Sequence, residues 1–335
     1  MTRETLARES GPQEDEESPP KAGFITAGVG VLMGAADIVP GVSGGTVALV
    51  LGVYQRLLNS LARFDATTLK HLVAGRIGDA WRRTDGRFLL TLGAGVIGGA
   101  KGLASVMSYL LTDQRTLTFA AFFGLIAASG WLVAKMSRPA NPTGAARCVA
   151  AGTIAATLAV WLLSQGRLQP VDGLPYTFFC GAVAICAMIL PGISGAYLLL
   201  MLGKYEEVSD ILHRFPQEVT GADIATLAVF ATGCGFGLLS FSRLLKWLLS
   251  RYWSETMAVL AGFMVGSLYR VWPFQIDTTP EVEELKRKVF QPAAPEGFGA
   301  TELACLTIAV GAAAVVLVAD AAARRIHPTA ESIDA

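Results

Sequence analysis

The chain has 335 residues, 53% of them apolar and 16% charged, with a mean hydropathy of +0.49 and a formal net charge of zero. That balance points to a multi-pass membrane protein, and the lack of a basic excess removes the argument for a nucleic-acid partner. Five cysteines (Cys148, Cys180, Cys186, Cys234, Cys305) fall mostly in apolar stretches without metal-ligand or disulfide spacing. They read as small core residues, and no metal or cofactor is expected.

Residues 1–22 are polar and rich in Glu, Ser and Pro. They lack a basic start followed by an apolar run, so they read as a disordered cytoplasmic tail and not as a cleaved signal. A first apolar pair follows, 24–39 and 42–61, interrupted by Pro40-Gly41. Segment 62–87 sets Leu69, Leu72, Val73, Ile77 and Trp81 against Lys70, Arg76 and Arg82. It reads either as a basic amphipathic helix on the anionic inner leaflet or as a solvated charged loop. Three single spans come next, 88–111, 117–135 and 146–164. A second interrupted pair, 174–190 and 192–212, is broken at Pro191-Gly192 and followed by spans at 222–249, 255–272 and 302–323. Each single run matches the roughly 20 residues that a bilayer crossing takes.

The order is therefore one broken pair and three spans, twice over: repeat 1 in 23–164 and repeat 2 in 165–325. Ile38-Val39-Pro40-Gly41-Val42-Ser43-Gly44 recurs as Ile189-Leu190-Pro191-Gly192-Ile193-Ser194-Gly195, with the two prolines 151 positions apart. Both copies run on into a common tail, Leu51-Gly52-Val53-Tyr54 and Leu202-Gly203-Lys204-Tyr205. Thr118-Phe119-Ala120 with Gly124 and Ser129 likewise matches Thr256-Met257-Ala258 with Gly262 and Ser267. A Pro-Gly pair cannot continue a helix, so each broken pair becomes a hairpin, re-entrant or fully crossing. A hairpin adds an even number of crossings and three spans make each half odd, so the second half must be inserted upside down. The predicted fold is all-α, an integral membrane protein built as an inverted repeat.

Charge agrees with that topology. With the N-terminus inside, the inner loops carry Arg63, Lys70, Arg76, Arg82, Arg83 and Arg87, then Lys135, Arg138 and Arg147, then Arg243, Lys246 and Arg251, and finally Arg324 and Arg325. The outer loops are acidic on balance, with Glu206, Glu207, Asp210 and Glu218 in one and Asp277, Glu281, Glu283 and Glu284 in another. This is the positive-inside bias, with both termini cytoplasmic.

Hairpins entering from opposite sides let the two Pro-Gly tips meet near the midplane. The helix that restarts after each tip exposes unpaired N–H groups and a positive dipole end, which suits an anion and above all a phosphate. Pro40, Gly41, Pro191 and Gly192 form the tips, while Gly44, Gly45 and Gly195 allow close approach. Ser43, Thr46 and Ser194 supply hydroxyls. The bland alternative is a kinked, packed helix whose serines cap their own backbone; two related copies favour a site. Lys101 lies mid-span, where a lone cation is expensive and suits a bound phosphate. Arg243 occupies the equivalent span nearer the cytoplasm, where snorkelling is an equal reading. Asp37 has no acidic counterpart, since Met188 stands there, and it either caps the tip or couples transport to protons. Arg270 reads as an interfacial anchor. The pairs Gly95/Gly99, Gly98/Gly102 and Gly233/Gly237 read as helix-packing spacings. Gly41-Val42-Ser43-Gly44-Gly45 formally matches a hydrolase nucleophile elbow, but that motif needs a preceding strand and a histidine in reach. His71, His213 and His327 all fall in loops or the C-terminal tail.

The run Met33-Gly34-Ala35-Ala36-Asp37-Ile38-Val39-Pro40-Gly41-Val42-Ser43-Gly44-Gly45-Thr46, with its second copy from Met188, closely resembles a family of bacterial polyprenyl-phosphate transporters. Phe122-Phe123-Gly124-Leu125-Ile126, Phe241-Ser242-Arg243-Leu244-Leu245 and Gly266-Ser267-Leu268-Tyr269-Arg270-Val271-Trp272-Pro273 are similar to it as well. The resemblance implies a flippase in the bacterial cytoplasmic membrane, returning undecaprenyl phosphate from the outer to the inner leaflet for cell-envelope synthesis. It implies that the paired tips hold the phosphate while the polyprenyl tail stays in lipid. Carried over by position, Asp37, Pro40, Gly41, Ser43, Gly44, Gly45, Thr46, Pro191, Gly192, Ser194, Gly195 and Arg243 match the motif segments, whereas Ala196 departs from the pattern. Lys101 rests on its depth alone. No catalytic residue is expected, and the coupling ion (H+ or Na+) stays open. An ion-coupled small-anion transporter is the alternative, with a membrane lipid phosphatase or a scaffold behind it.

Overall fold

A computed structural model describes residues 20–37, 43–165, 171–214, 218–279, 281, 290–295, 297 and 299–326. Pro40 and Gly41 lie outside the described residues, as does the expected tail up to residue 19. The first half comprises α1 (Pro20–Asp37), α2 (Gly44–Val50), α3 (Tyr54–Ala62), α4 (Ala66–Val73), α5 (Ile77–Arg83), α6 (Gly86–Gly102), α7 (Ala104–Thr112), α8 (Arg115–Met136) and α9 (Pro142–Ser164). The second comprises α10 (Leu174–Ile189), α11 (Gly195–Met201), α12 (Tyr205–Arg214), α13 (Gly221–Arg251), α14 (Trp253–Ser267) and α15 (Ala300–Ile326). Among the described residues, α8, α9, α13 and α15 are long and apolar enough to cross a membrane, and the bent pair α6–α7 adds a fifth if it forms one span. The protein is a helical, multi-pass membrane protein. Its outer face is hydrocarbon: Leu303, Leu306, Val310, Val315 and Val318 of α15 are all exposed, which only lipid makes tolerable.

The structure departs from the sequence reading in four places. The returning limb of each hairpin is itself broken within the repeated Leu-Gly-x-Tyr tail, where Gly52 (φ +76°) and Gly203 (φ +73°) take the left-handed conformation. The span expected at 88–111 bends by 49° between α6 and α7. Segment 62–87 forms two short helices separated at Gly75 (φ +72°) in place of one amphipathic helix. Asp65 caps α4 through the backbone N–H groups of Thr67 and Thr68 and takes Arg83 of α5 at 2.6 Å, contacts that hold its carboxyl down at about 2. Finally, an otherwise helical chain carries a short antiparallel pair, β1 (Gln275–Asp277) with β2 (Phe290–Pro292), in the loop before α15.

Glycine decides how the helices pack. Gly95 and Gly99 of α6 lie against Ala27 and Val31 of α1; Gly233 and Gly237 of α13 lie against Phe178 and Ala182 of α10. Ala27 and Phe178 are 151 positions apart, as are Val31 and Ala182, so the two interfaces correspond residue for residue. A Cβ at Gly99 would fall 2.1 Å from the Val31 carbonyl oxygen, and one at Gly237 would fall 2.5 Å from that of Ala182. Backbone contact this close needs glycine, because lipid supplies no hydrophobic force between helices and packing must replace it. The remaining spans are exchanged between halves: Gly124 of α8 packs on Ala309 of α15, and Gly262 of α14 packs on Gly152 of α9. Neither half buries its own last helix.

Candidate functional site

The two tips meet. Ser43, the N-cap of α2, turns its hydroxyl towards the carbonyl oxygens of Met188 (3.5 Å) and Leu190 (3.4 Å), the frayed C-terminal end of α10. Tyr54 donates its phenolic O–H to Ile189 O at 2.9 Å, and the Gly192 N–H donates to Thr46 Oγ1 at 2.9 Å. Three successive carbonyls at the end of one hairpin are thus engaged by side chains of the other, as buried backbone acceptors require. Ser43, Thr46 and Tyr54 are all buried, and so are Pro191, Ile193 and Ser194.

Small residues make this approach possible. A Cβ at Gly45 would stand 2.9 Å from Ile189 O and 3.0 Å from Met188 O, so any side chain there would wedge the tips apart. Gly192 holds φ +88° and passes within 2.9 Å, measured from an added Cβ, of Met264 Cα on α14. Gly195 is closed in by Ala184 O at 2.4 Å.

The helix starts differ from the open anion site read from the sequence. At α2 the Gly44 N–H donates to Asp37 Oδ1 at 2.7 Å, and the Gly45 N–H donates to Ser43 Oγ at 3.1 Å. A carboxylate of the protein therefore occupies the place that suits an external anion. At α11 the Ser194 hydroxyl accepts from the Tyr197 N–H at 3.4 Å, and Met188 stands in the position equivalent to Asp37. The second helix start has no matching acid.

The structure assembles Asp37, Ser43, Gly44, Gly45, Thr46, Gly192, Ser194 and Gly195 around this junction. It does not bring Lys101 or Arg243 to it. Lys101 is exposed in the last turn of α6, next to the bend, and Arg243 is exposed and donates to the Phe64 carbonyl at the end of the first hairpin. Sequence reasoning missed Tyr54, whose signal was its recurrence as Tyr205 in the repeated tail. Beside Tyr54 lies a cavity of about 230 Å³ whose other walls include Leu49, Met136, Leu249, Met257 and Leu260.

A family model described as undecaprenyl phosphate translocase-like matches residues 33–288, a range that takes in both tips. The chain belongs to that family. A polyprenyl-phosphate transporter of Vibrio cholerae is 38% identical over 246 residues, covering 73% of this chain and 76% of the relative. A polyprenyl-phosphate transporter of Staphylococcus aureus is 30% identical over 257 residues, covering 73% and 84%. No solved structure matches the chain. Membership of the translocase-like family agrees with an apolar cavity beside a polar junction, a combination suited to a ligand with a hydrocarbon chain and a charged head.

Proposed function

We propose that the protein carries a polyprenyl phosphate, undecaprenyl phosphate in the cell, from the outer to the inner leaflet of the bacterial cytoplasmic membrane for reuse in envelope synthesis. The observation that carries this reading is the junction itself, where side chains of one hairpin satisfy the carbonyls of the other. The hydroxyls that donate to these carbonyls can donate to a phosphate in their place, and the carbonyls so released must find other donors, which couples phosphate binding to opening of the junction. The limbs are short: α10 has 16 residues, about 24 Å of helix against a hydrocarbon core of about 30 Å, so the hairpins are read as re-entrant. The two matched interfaces support a duplicated fold, and in this reading its halves have opposite orientations, with both termini cytoplasmic, and rock to expose the junction to each leaflet in turn.

In this reading the phosphate displaces Asp37 from the Gly44 N–H and takes the hydroxyls of Ser43, Thr46 and Ser194, while the isoprenoid enters along the apolar cavity. Asp37 is the acid that changes partners in this cycle, and H+ is the coupling ion in this reading. The cavity's hydrocarbon walls favour the lipid over a small anion. Transport is favoured over hydrolysis because helix α1, not a strand, precedes Ser43, and the Ser43 hydroxyl is spent on a cap and on carbonyls.

The experiment is leaflet exchange in reconstituted vesicles, read as the fraction of undecaprenyl phosphate open to an externally added phosphatase. Wild-type protein is expected to expose the inner-leaflet pool within minutes, faster with a pH gradient. Exchange no faster than in protein-free vesicles, with or without the gradient, overturns the proposal.

A further inference from the structure

Arg115 opens α8, and Arg270 follows the end of α14; both sit at the loop that carries β1 and β2, on the face assigned to the outside. Two cations converge there on the same neighbours. The Arg115 guanidinium stacks between Phe119 (4.6 Å to the ring centre) and Phe290 (3.3 Å), while Arg270 Nη1 donates to Phe290 O at 2.7 Å. Gln275 bridges them, accepting from Arg115 Nη2 at 3.0 Å and donating to Arg270 O at 2.8 Å.

The Asp277 carboxylate of β1 attracts Arg115 without forming an ion pair with it. Arg270 is only 9% exposed, and among the described residues neither arginine forms an ion pair with a carboxylate. Arg115 Nε is buried with no acceptor. On the side-on edge of that guanidinium, Nη2 meets a neutral amide and Nε finds no acceptor among the described residues. With two rings against the guanidinium carbon, a ligand would approach along an edge, and this edge keeps a free donor. A buried arginine beside a second, half-buried one is costly until an anion joins them, and a guanidinium edge matches two oxygens of a phosphate. Arg270 also lies over the ring of Tyr197 (4.7 Å), the residue whose backbone N–H caps back to Ser194 at the second tip. Arg270 therefore adjoins, through Tyr197, the tip helix that lacks the acid Asp37 supplies at the other.

We propose that Arg115 and Arg270 form a second anion site, which receives a phosphate monoester from the outer leaflet before it passes to the tips. The proposal deepens the transport reading and rests on it for the side of the membrane. Gln275 closes the empty site and gives way to a phosphate oxygen. The site accepts the headgroup and leaves the hydrocarbon chain outside it in lipid.

The test uses the full chain in lipid nanodiscs, titrated with farnesyl phosphate and read by tryptophan emission. Arg115→Gln and Arg270→Gln are each expected to raise the half-saturating concentration about tenfold, the loss of one charge-assisted contact. Gln275→Glu supplies an internal carboxylate; it is expected to weaken binding to a similar degree while leaving the thermal midpoint unchanged or higher, an outcome a merely structural role would not produce. Wild-type affinity in all three variants overturns the proposal. Inorganic phosphate displacing the probe at equal concentration assigns the site to free phosphate and overturns the lipid assignment. Exchange by wild-type vesicles alongside unaltered binding in the variants refutes this site alone; arginine-dependent binding without exchange refutes the transport reading and retains the site.

Discussion

Replacing Gly99 or Gly237 by alanine is expected to be among the most damaging single-methyl changes in the protein. The added Cβ meets a backbone oxygen at 2.1 Å in one case and 2.5 Å in the other, and backbone cannot rotate aside as a side chain can. The helices must separate, at a cost of about 3 kcal/mol or more for overpacking of this kind. Gly98, one residue away on α6, has nothing within 4 Å of the place a methyl group would take. Gly98→Ala is therefore expected to be neutral or to stabilise by up to about 1 kcal/mol, because alanine is the better helix former. Thermal midpoints in detergent check the contrast. Equal effects at 98 and 99 would mean that the glycine interface does not hold α1 against α6.

The second large effect is expected at the junction. Ser43→Ala removes the α2 cap, worth about 1 kcal/mol, together with the contacts to the Met188 and Leu190 carbonyls. Stability therefore falls modestly. Exchange of polyprenyl phosphate is expected to fall at least tenfold, because the same hydroxyl serves the phosphate in the proposed cycle. Ser43→Thr keeps the hydroxyl and is expected to retain most activity. Tyr54→Phe leaves Ile189 O without its donor, at about 1–3 kcal/mol, and separates loss of the lock from loss of a phosphate ligand. Wild-type exchange by Ser43→Ala would remove the junction from the transport cycle.

Much of this architecture was legible because it is written twice. The second Pro-Gly-x-Ser-Gly announced the tip at Pro191, and the spacing of Gly95, Gly99, Gly233 and Gly237 announced two equivalent interfaces that the structure places on Ala27, Val31, Phe178 and Ala182, whereas Gly98 and Gly102, whose spacing gave the same reading, meet nothing within 4 Å. Features without a second copy, or without a local signal, were hidden. The bend between α6 and α7 has no proline, and that is why Lys101, placed at mid-span by counting, stands instead at the end of a helix. Arg243 gives no sign in sequence that it turns towards the Phe64 carbonyl, a contact between residues far apart in the chain. Asp37 could be seen as a singular acid, but its return to the Gly44 N–H depends on how the tip folds. The breaks at Gly52 and Gly203 lay inside the repeated tail and were obscured by its apolar neighbours.

The central claim is that phosphate is handled where the hairpins meet. A photoactivatable polyprenyl phosphate analogue, with its diazirine next to the phosphate, tests this most directly in vesicles under illumination, with labelled peptides mapped by mass spectrometry. The account predicts labelling within residues 37–54 and 188–197, competed by undecaprenyl phosphate and lost in Ser43→Ala. Labelling confined to the lipid-facing surfaces of α13 and α15, unchanged by the substitution, would contradict it.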